Sequence, residues 1–319
     1  MVARTEKKSV LITGGCGFLG QHLAGELAAR GLRPVLFGNR ERRHLLRPGL
    51  GVEDCPFVRG DVLNLPELMA ALDGYDIHSV IHSAAIIPPA SEERPYQSIQ
   101  VNIMGLVNVL EAVRRLKRGR VTLVGSGAVY APEPASVVED APIPLDMPFG
   151  LYGVTKASAE MIGLFYARHE GVDFVSTRHA AIYGPGLGGA PHYLNRLVLG
   201  ALSGKPVRMS NGGDHRFEFV HVADSVKGLA LIHTAPDLKH RVYNIGSGRS
   251  TSLNELSGLI KGLVPGAEIE LGPGPVPDLP QRRPFDLARA REAGYRPCRD
   301  LESGLADLVD SWEGEGKRL

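Results

Sequence analysis

The sequence predicts an α/β fold: a doubly wound parallel sheet with a smaller, discontinuous C-terminal domain. Three observations predict it. Through the first half of the chain, short β-branched runs alternate with helix-length amphipathic stretches. A glycine-rich turn joins the first of these runs to the first helix. Two more strand-like runs, Phe174 to Arg178 and Val242 to Ile245, come after the alternation has stopped, so the chain returns to its sheet after leaving it.

Val10 to Thr13, Pro34 to Phe37, Phe57 to Arg59, Val80 to His82 and Val121 to Val124 read as successive buried strands. Between them the spacing predicts helices over Leu19 to Arg30, stopped by Gly31, and over Leu65 to Leu72, capped by Asn64 with Pro66 in the first turn. A third is predicted over Tyr96 to Leu116. The Pro-rich interval from Ala131 to Pro148 reads as a long surface loop, and a helix from Leu151 to Glu170 follows it. The sheet domain then covers 1–183, with 218–249 returning to it, and the second domain is built from 184–217 and 250–319.

Composition excludes several classes of function. The chain has 319 residues, with 36 lysines and arginines against 35 acidic residues. A net charge of +1 gives no general field to attract nucleic acid or an anionic membrane. Cys16, Cys55 and Cys298 stand far apart without a CxxC, so neither a disulfide framework nor a zinc cluster is expected. The histidines show no HExxH spacing, and no metal is expected. No convincing signal peptide or membrane-spanning run is present, which reads as a soluble cytoplasmic protein.

The turn after the first strand carries Gly14, Gly17 and Gly20 at three-residue spacing, followed by the helix that starts near Phe18 and Leu19. Gly14 permits the tight turn, Gly17 lets backbone approach a pyrophosphate, and Gly20 allows close packing of the helix. The helix N-terminus adds amide donors and the positive end of its dipole. In such a unit an acidic residue at the end of the second strand holds the ribose 2′-hydroxyl. Here Gly38 stands in that place, followed by Asn39 and Arg40. The missing carboxylate removes repulsion against a 2′-phosphate that Arg40 could grip, which favours NADP over NAD.

Tyr152 and Lys156 are spaced i, i+4 on a predicted helix and so share a face. A phenol is a poor base at neutral pH, and a nearby ammonium favours its ionised form, so the pair makes a proton carrier. Ser126 falls at the end of the fifth strand, where sheet C-termini open toward ligands, and its hydroxyl could steady a substrate oxygen.

These residues resemble the extended short-chain dehydrogenase/reductase family, in its NAD-dependent epimerase/dehydratase branch. The glycine loop, His82-Ser83-Ala84-Ala85, Asn102, Ser126 four residues before Tyr130, the Tyr152/Lys156 pair and Tyr183-Gly184-Pro185-Gly186 occur in that family's order, from about Ser9 to Trp312. The resemblance implies a Rossmann domain with a small substrate domain. It implies that Tyr152 is the acid/base, that Lys156 lowers its pKa and holds the nicotinamide ribose, and that Ser126 orients the substrate oxygen. Asp61 and Val62 resemble the adenine contact, Ser83, Ala84 and Ala85 belong to the cofactor segment, and Asn102 resembles a structural and proton-relay asparagine. The implied chemistry is hydride transfer at a carbinol carbon of a sugar, with a nucleotide sugar as the leading substrate.

Arg216, at the end of a Gly-rich turn, and Arg283 resemble that family's two diphosphate-binding arginines, and His179 lies at the expected nicotinamide end as a substrate contact. Ala181 stands where nucleotide-sugar members carry an asparagine. Together with Gly38 it leaves open a second reading, an NADP-dependent reductase or dehydrogenase of a small non-nucleotide alcohol or ketone. A third reading is a non-catalytic dinucleotide redox sensor. Gly127 and Ala128 occupy the places of a dehydratase's acidic pair, so 4,6-dehydration is not expected. The helices Tyr96 to Leu116 and Leu151 to Glu170 resemble the pair that forms the family's dimer interface, which implies a homodimer.

Overall fold

The computed structural model describes residues 7–41, 49–132, 136–186, 193–281 and 283–314, with backbone alone for 313 and 314. Arg282, and residues 42–48 of the loop after the second strand, lie outside the described residues.

Seven parallel strands form the central sheet: β1 (Ser9–Thr13), β2 (Arg33–Gly38), β3 (Phe57–Arg59), β4 (Ile77–His82), β5 (Val121–Ser126), β6 (Phe174–His179) and β11 (Val242–Ile245). Their order across the sheet is β11-β6-β5-β4-β1-β2-β3. The order reverses between β1 and β4, and ligands bind at such a switch point beyond the strands' carboxyl ends. Every residue of β1 and β6 is buried, as a strand covered on both faces requires.

Helices α2 (Leu65–Gly74), α5 (Gly105–Arg115) and α6 (Gly150–His169) cover one face, packing Leu68, Leu110 and Ala159 against Leu11, Val80 and Leu123. Helices α1 (Phe18–Ala29) and α8 (Val222–Thr234) cover the other, with Leu23 and Leu229 against Ile12 and Ile81. Between β6 and α8 run β7 (Ala181–Tyr183), α7 (Tyr193–Leu202), β8 (Val207–Met209), β9 (Arg216–Phe217) and β10 (Phe219–His221). After β11 come β12 (Thr251–Ser252), α9 (Leu253–Leu263), β13 (Ile269–Leu271), α10 (Ala288–Glu292) and α11 (Leu301–Gly314).

A separate apolar cluster joins Leu197 of α7, Leu256 of α9 and Leu305 of α11 with Tyr183 and Phe219. Phe285, Leu287 and Tyr295 belong to another cluster, packed with Tyr130, Val175 and Ile245 on the β11 edge of the sheet. The segment around 285–295 therefore clasps the sheet.

Local chemistry explains the boundaries. The Asn64 side chain accepts the Glu67 amide at the start of α2, as its position predicts. Gly31, at φ +80, ends α1. The predicted helix over Tyr96 to Leu116 runs without a gap from Pro95 to Arg115 but is not α throughout. It consists of α4 (Pro95–Ile99), a π-helical turn over Gln100–Met104, and α5. The extra residue in that turn carries Asn102, which bonds Ile86 through both its oxygen and its amide and Thr155 through its amide. Nor is Ala131 to Pro148 all surface. Val137 bridges Phe285, and the buried Glu139 accepts the Asn244 amide, because the open edge of β11 needs a polar partner there.

Candidate active site

The glycine turn is built as a cradle. Gly14 sits at φ +67, which favours glycine, and its amide bonds Phe37 O at 2.8 Å. Gly17 takes the N-cap position of α1, and no side chain caps the amides of the first turn. A Cβ on Gly20 would lie 2.6 Å from Gly14 O, so α1 packs against the loop at backbone distance. Gly15, which the sequence reading passed over, serves the next strand: its Cβ would meet Leu36 at 2.8 Å. A helix terminus without a side-chain cap, beneath a glycine-rich loop, fits a dinucleotide's pyrophosphate. Gly20→Ala is expected to cost about 1–3 kcal/mol by overpacking. Dinucleotide affinity, measured by titration beside the melting temperature, should fall with it.

The flanks are also braced. Thr13 Oγ1 accepts the amides of Ser83 and Ala84, and the Ser83 hydroxyl donates to Thr13 O at 2.6 Å, which ties the ends of β1 and β4 together. Ala85 continues this segment toward Ile86, the residue that Asn102 holds. On the far side, Asp61 accepts the Leu63 amide and gives its own amide to Glu67, while Val62 is buried. Asn39 and Arg40 follow β2 on the surface.

Ser126 ends β5 and caps a short 3₁₀ turn over Gly127–Val129, its Oγ accepting the Ala128 amide at 3.1 Å. The hydroxyl proton is left to donate. Tyr152 lies in the first turn of α6, and Lys156 one turn on. The Lys156 Nζ donates to Val124 O, two residues before Ser126, at 2.9 Å, and lies 5.8 Å from the centroid of the Tyr152 ring. Lys156 thus ties the start of α6, which carries Tyr152, to the strand that Ser126 ends. Lys156 is only 5% exposed, and burial pulls its pKa down to about 8. Burial and the lysine's charge together hold His82 and His179 at about 3, so both stay neutral beside it.

Glu92 had no signal in the local sequence. It stands in α3 (Ala90–Glu93), and its two carboxylate oxygens accept the amides of Leu151 and Tyr152, each at 3.1 Å. The N-cap residue of α6, Phe149, makes no side-chain cap bond, and Gly150 at φ +60 admits the carboxylate where a Cβ would crowd it at 3.0 Å. Glu92 is the cap of α6, supplied from 59 residues away. Glu92→Ala should lower stability by about 0.5–2 kcal/mol. It should also cut kcat more than it changes dinucleotide affinity, with Glu92→Asp partly restoring both readouts.

One expectation for a substrate contact is corrected. His179 turns inward, bonding Ser225 Oγ at 2.8 Å and Thr177 Oγ1 at 2.9 Å, which leaves no ring nitrogen for a substrate. Its strand is buried on both faces, so the ring must find partners within the protein. Arg216 is held through Nη2 alone, which donates to Ser250 O at 2.7 Å and pairs with Glu255 at 3.1 Å across the β9–β12 seam, and its side chain stays 37% exposed. Arg283 is exposed. Among the described residues no group of three His, Cys, Asp or Glu side chains could hold a metal ion.

The profile of the NAD dependent epimerase/dehydratase family matches residues 10–246. The chain is 31% identical over 324 residues to a dTDP-glucose 4,6-dehydratase from Streptomyces antibioticus, covering 95% of this chain and 91% of that protein. It is 26% identical over 264 residues to a UDP-glucuronate 4-epimerase from Thermodesulfobacterium geofontis, covering 80% of each. The structure of the Thermus thermophilus UDP-glucose 4-epimerase with NAD superposes with a TM-score of 0.84 at 25% identity, over 96% of this chain and 99% of that one. MoeE5 in complex with UDP-glucuronic acid and NAD gives 0.83 at 29%, over the same shares. With a matching profile over most of its length and a Rossmann sheet to carry it, this chain is an enzyme of the NAD-dependent epimerase/dehydratase family.

Proposed function

We propose that the chain is a nucleotide-sugar epimerase or oxidoreductase in which Tyr152 carries the proton of a sugar hydroxyl, Lys156 favours the phenolate, and Ser126 steadies the substrate oxygen. The observation that carries this reading is the buried Lys156 ammonium, set against the Tyr152 ring and bonded to the strand that Ser126 ends. The glycine cradle would hold the pyrophosphate of the dinucleotide, Asp61 and Val62 its adenine, and Lys156 the nicotinamide ribose. When bound, the nicotinamide supplies a hydride acceptor and donor. Tyr152 withdraws the carbinol proton and returns it, while Ser126 donates to the oxygen as charge builds there. Gly127 and Ala128 are both buried in the 3₁₀ turn and offer no acid, which supports epimerisation or oxidation over dehydration.

The substrate class rests on the relatives, which are named for UDP- and dTDP-sugars. The small-ketone and redox-sensor readings are not favoured beside them. Incubation with UDP-glucose, UDP-glucuronic acid and dTDP-glucose, followed by proton NMR of the sugar, should show inversion or oxidation of at least one. Turnover of simple ketones with none of these sugars would sink the assignment. For the cofactor, Gly38 and Arg40 support NADP, while the relatives' structures hold NAD. NADP is expected to bind at least about tenfold tighter, the yield of one charge-assisted contact, and equal or weaker binding refutes the role of Arg40.

A homodimer is supported by apolar side chains left outside on α4, the π turn and α6: Tyr96, Ile99, Met104, Met161 and Phe165. No helix among the described residues is long and apolar enough to cross a membrane.

A further inference from the structure

A cavity of about 850 Å³ opens beside β7 and β10, away from the residues assigned above. Its walls are the turn after β11, the outer face of α9, and the segment that joins α10 to α11. It shares no lining residue with the glycine cradle or with Ser126, Tyr152 and Lys156. Its position follows from Asp224 in the first turn of α8, whose Oδ2 accepts the amides of Cys298 and Arg299 on the cavity wall. Helix α8 lies on the α1 face of the sheet, and the helix bearing Tyr152 lies on the opposite face.

Four arginines line the cavity: Arg249, Arg291, Arg296 and Arg299. Against them stand two carboxylates, Glu255 and Asp300, so the lining carries 4 − 2 = +2, more than the +1 of the whole chain. Both carboxylates are already engaged. Glu255 accepts the Ser252 amide and pairs with Arg216, which lies outside the lining, and Asp300 accepts the Ser303 amide. Arg299 pairs with Asp307 at 3.1 Å, and Arg296 is pinned by two backbone carbonyls, Arg291 O and Tyr295 O. The guanidinium groups of Arg249 and Arg291 have no hydrogen-bond acceptor among the described residues, and Arg249 lies within electrostatic reach of Asp300.

Both line the same cavity. Arg291 Nη2 lies 3.8 Å from where a Cβ on Gly248, the residue before Arg249, would stand. Guanidinium groups on a cavity wall without a hydrogen-bonded acceptor attract an anion to it. A guanidinium matches a phosphate oxygen pair bidentately. The inner wall has the opposite character, being made by the buried rings of Tyr183 and Phe219, with ring centroids 6.2 Å apart. A cationic rim over an aromatic wall, in a volume typical of small-molecule sites, suits a ligand with a flat apolar body and clustered negative charge.

We infer that this cavity is a second ligand site, separate from the catalytic one, that takes a phosphorylated small molecule of the nucleoside diphosphate type. The inference stands independently of the substrate proposed above, since none of its residues serves that reaction.

Cys298 provides a local reporter. It is the one exposed cysteine of the three, it lines the cavity, and Cys16 and Cys55 are buried. The full-length protein would be saturated with its tighter-binding dinucleotide, so that the Rossmann site cannot answer, and Cys298 alkylation by iodoacetamide followed by peptide mass spectrometry with and without ADP or inorganic pyrophosphate. ADP is expected to slow alkylation at least fivefold, and Arg249→Ala/Arg291→Ala to abolish that protection. Both arginines are surface residues, and an unchanged melting temperature would show that the double variant is folded. Protection by pyrophosphate as well would assign the recognition to the phosphates, and protection by ADP alone would add the aromatic wall. Tyr152→Phe should leave protection unchanged, and loss of sugar turnover in that variant tests the catalytic reading separately. No protection by millimolar ADP, or equal protection in the double variant, overturns the inference.

Discussion

Replacing Tyr152 by Phe is expected to lower kcat by about a thousandfold or more, within the range for a lost proton carrier, while leaving dinucleotide binding within about twofold of wild type, a difference well under 1 kcal/mol. A thousandfold loss corresponds to about 4 kcal/mol of transition-state stabilisation. The expectation rests on where the phenol stands. Tyr152 begins α6 with its backbone amide held by Glu92, and the Lys156 ammonium lies against its ring. Phe keeps the ring, the helix cap and the packing, and removes only the hydroxyl. Initial rates on the best nucleotide sugar, beside a titration of the dinucleotide, separate the two effects. A Phe variant with more than a tenth of wild-type kcat would take the phenol out of the mechanism.

The second large effect belongs to Lys156. An ammonium held beneath the sheet's end by one carbonyl is unfavourable, and burial brings its pKa from the ordinary lysine range to about 8. The charged form is the one that favours phenolate, so kcat/KM should fall as pH rises through about 8, where the free enzyme loses that proton. Stability responds with the opposite sign. Between about 8 and the unfolded lysine value of 10.5, the unfolded chain binds the proton and the folded chain does not. Raising the pH through that window therefore stabilises the fold, and the cost of burying the charge is fully present below it. Lys156→Met is accordingly expected to cut kcat by about a hundredfold or more without lowering the melting temperature at neutral pH. A large fall in melting temperature with modest loss of turnover would make Lys156 a structural residue.

Much of the site was legible because it is made of local patterns. The three-residue glycine spacing, the i, i+4 pair and the Asn64 cap each act over one or two turns of chain, so periodicity and residue type reveal them. Ser126 was legible because a strand's end can be read from where its β-branched run stops. The glycine turn still hid part of its function. Gly15 is required by Leu36 of the neighbouring strand, and no spacing rule within the loop points to it.

The unread parts are contacts between distant segments. Glu92 and the α6 amides meet only because β4 and β5 lie side by side and their following loops converge. Arg216 and His179 carry functional residue types, yet their partners, Glu255 and Ser250 for one and Ser225 and Thr177 for the other, are fixed by which way a strand presents its side chains. A shift of one residue would reverse that face. The π-helical turn within the Tyr96 to Leu116 helix has the same origin, since Asn102 must reach both Ile86 and Thr155.

The sequence by itself therefore determined the class of sheet, the glycine turn before α1 and the helix that carries Tyr152 and Lys156, because short-range backbone geometry and residue chemistry specify them. Only the tertiary structure decided which polar side chains are free to meet a ligand. A buried donor or acceptor must find a partner wherever the fold brings one, and that is settled by neighbours the chain acquires only on folding.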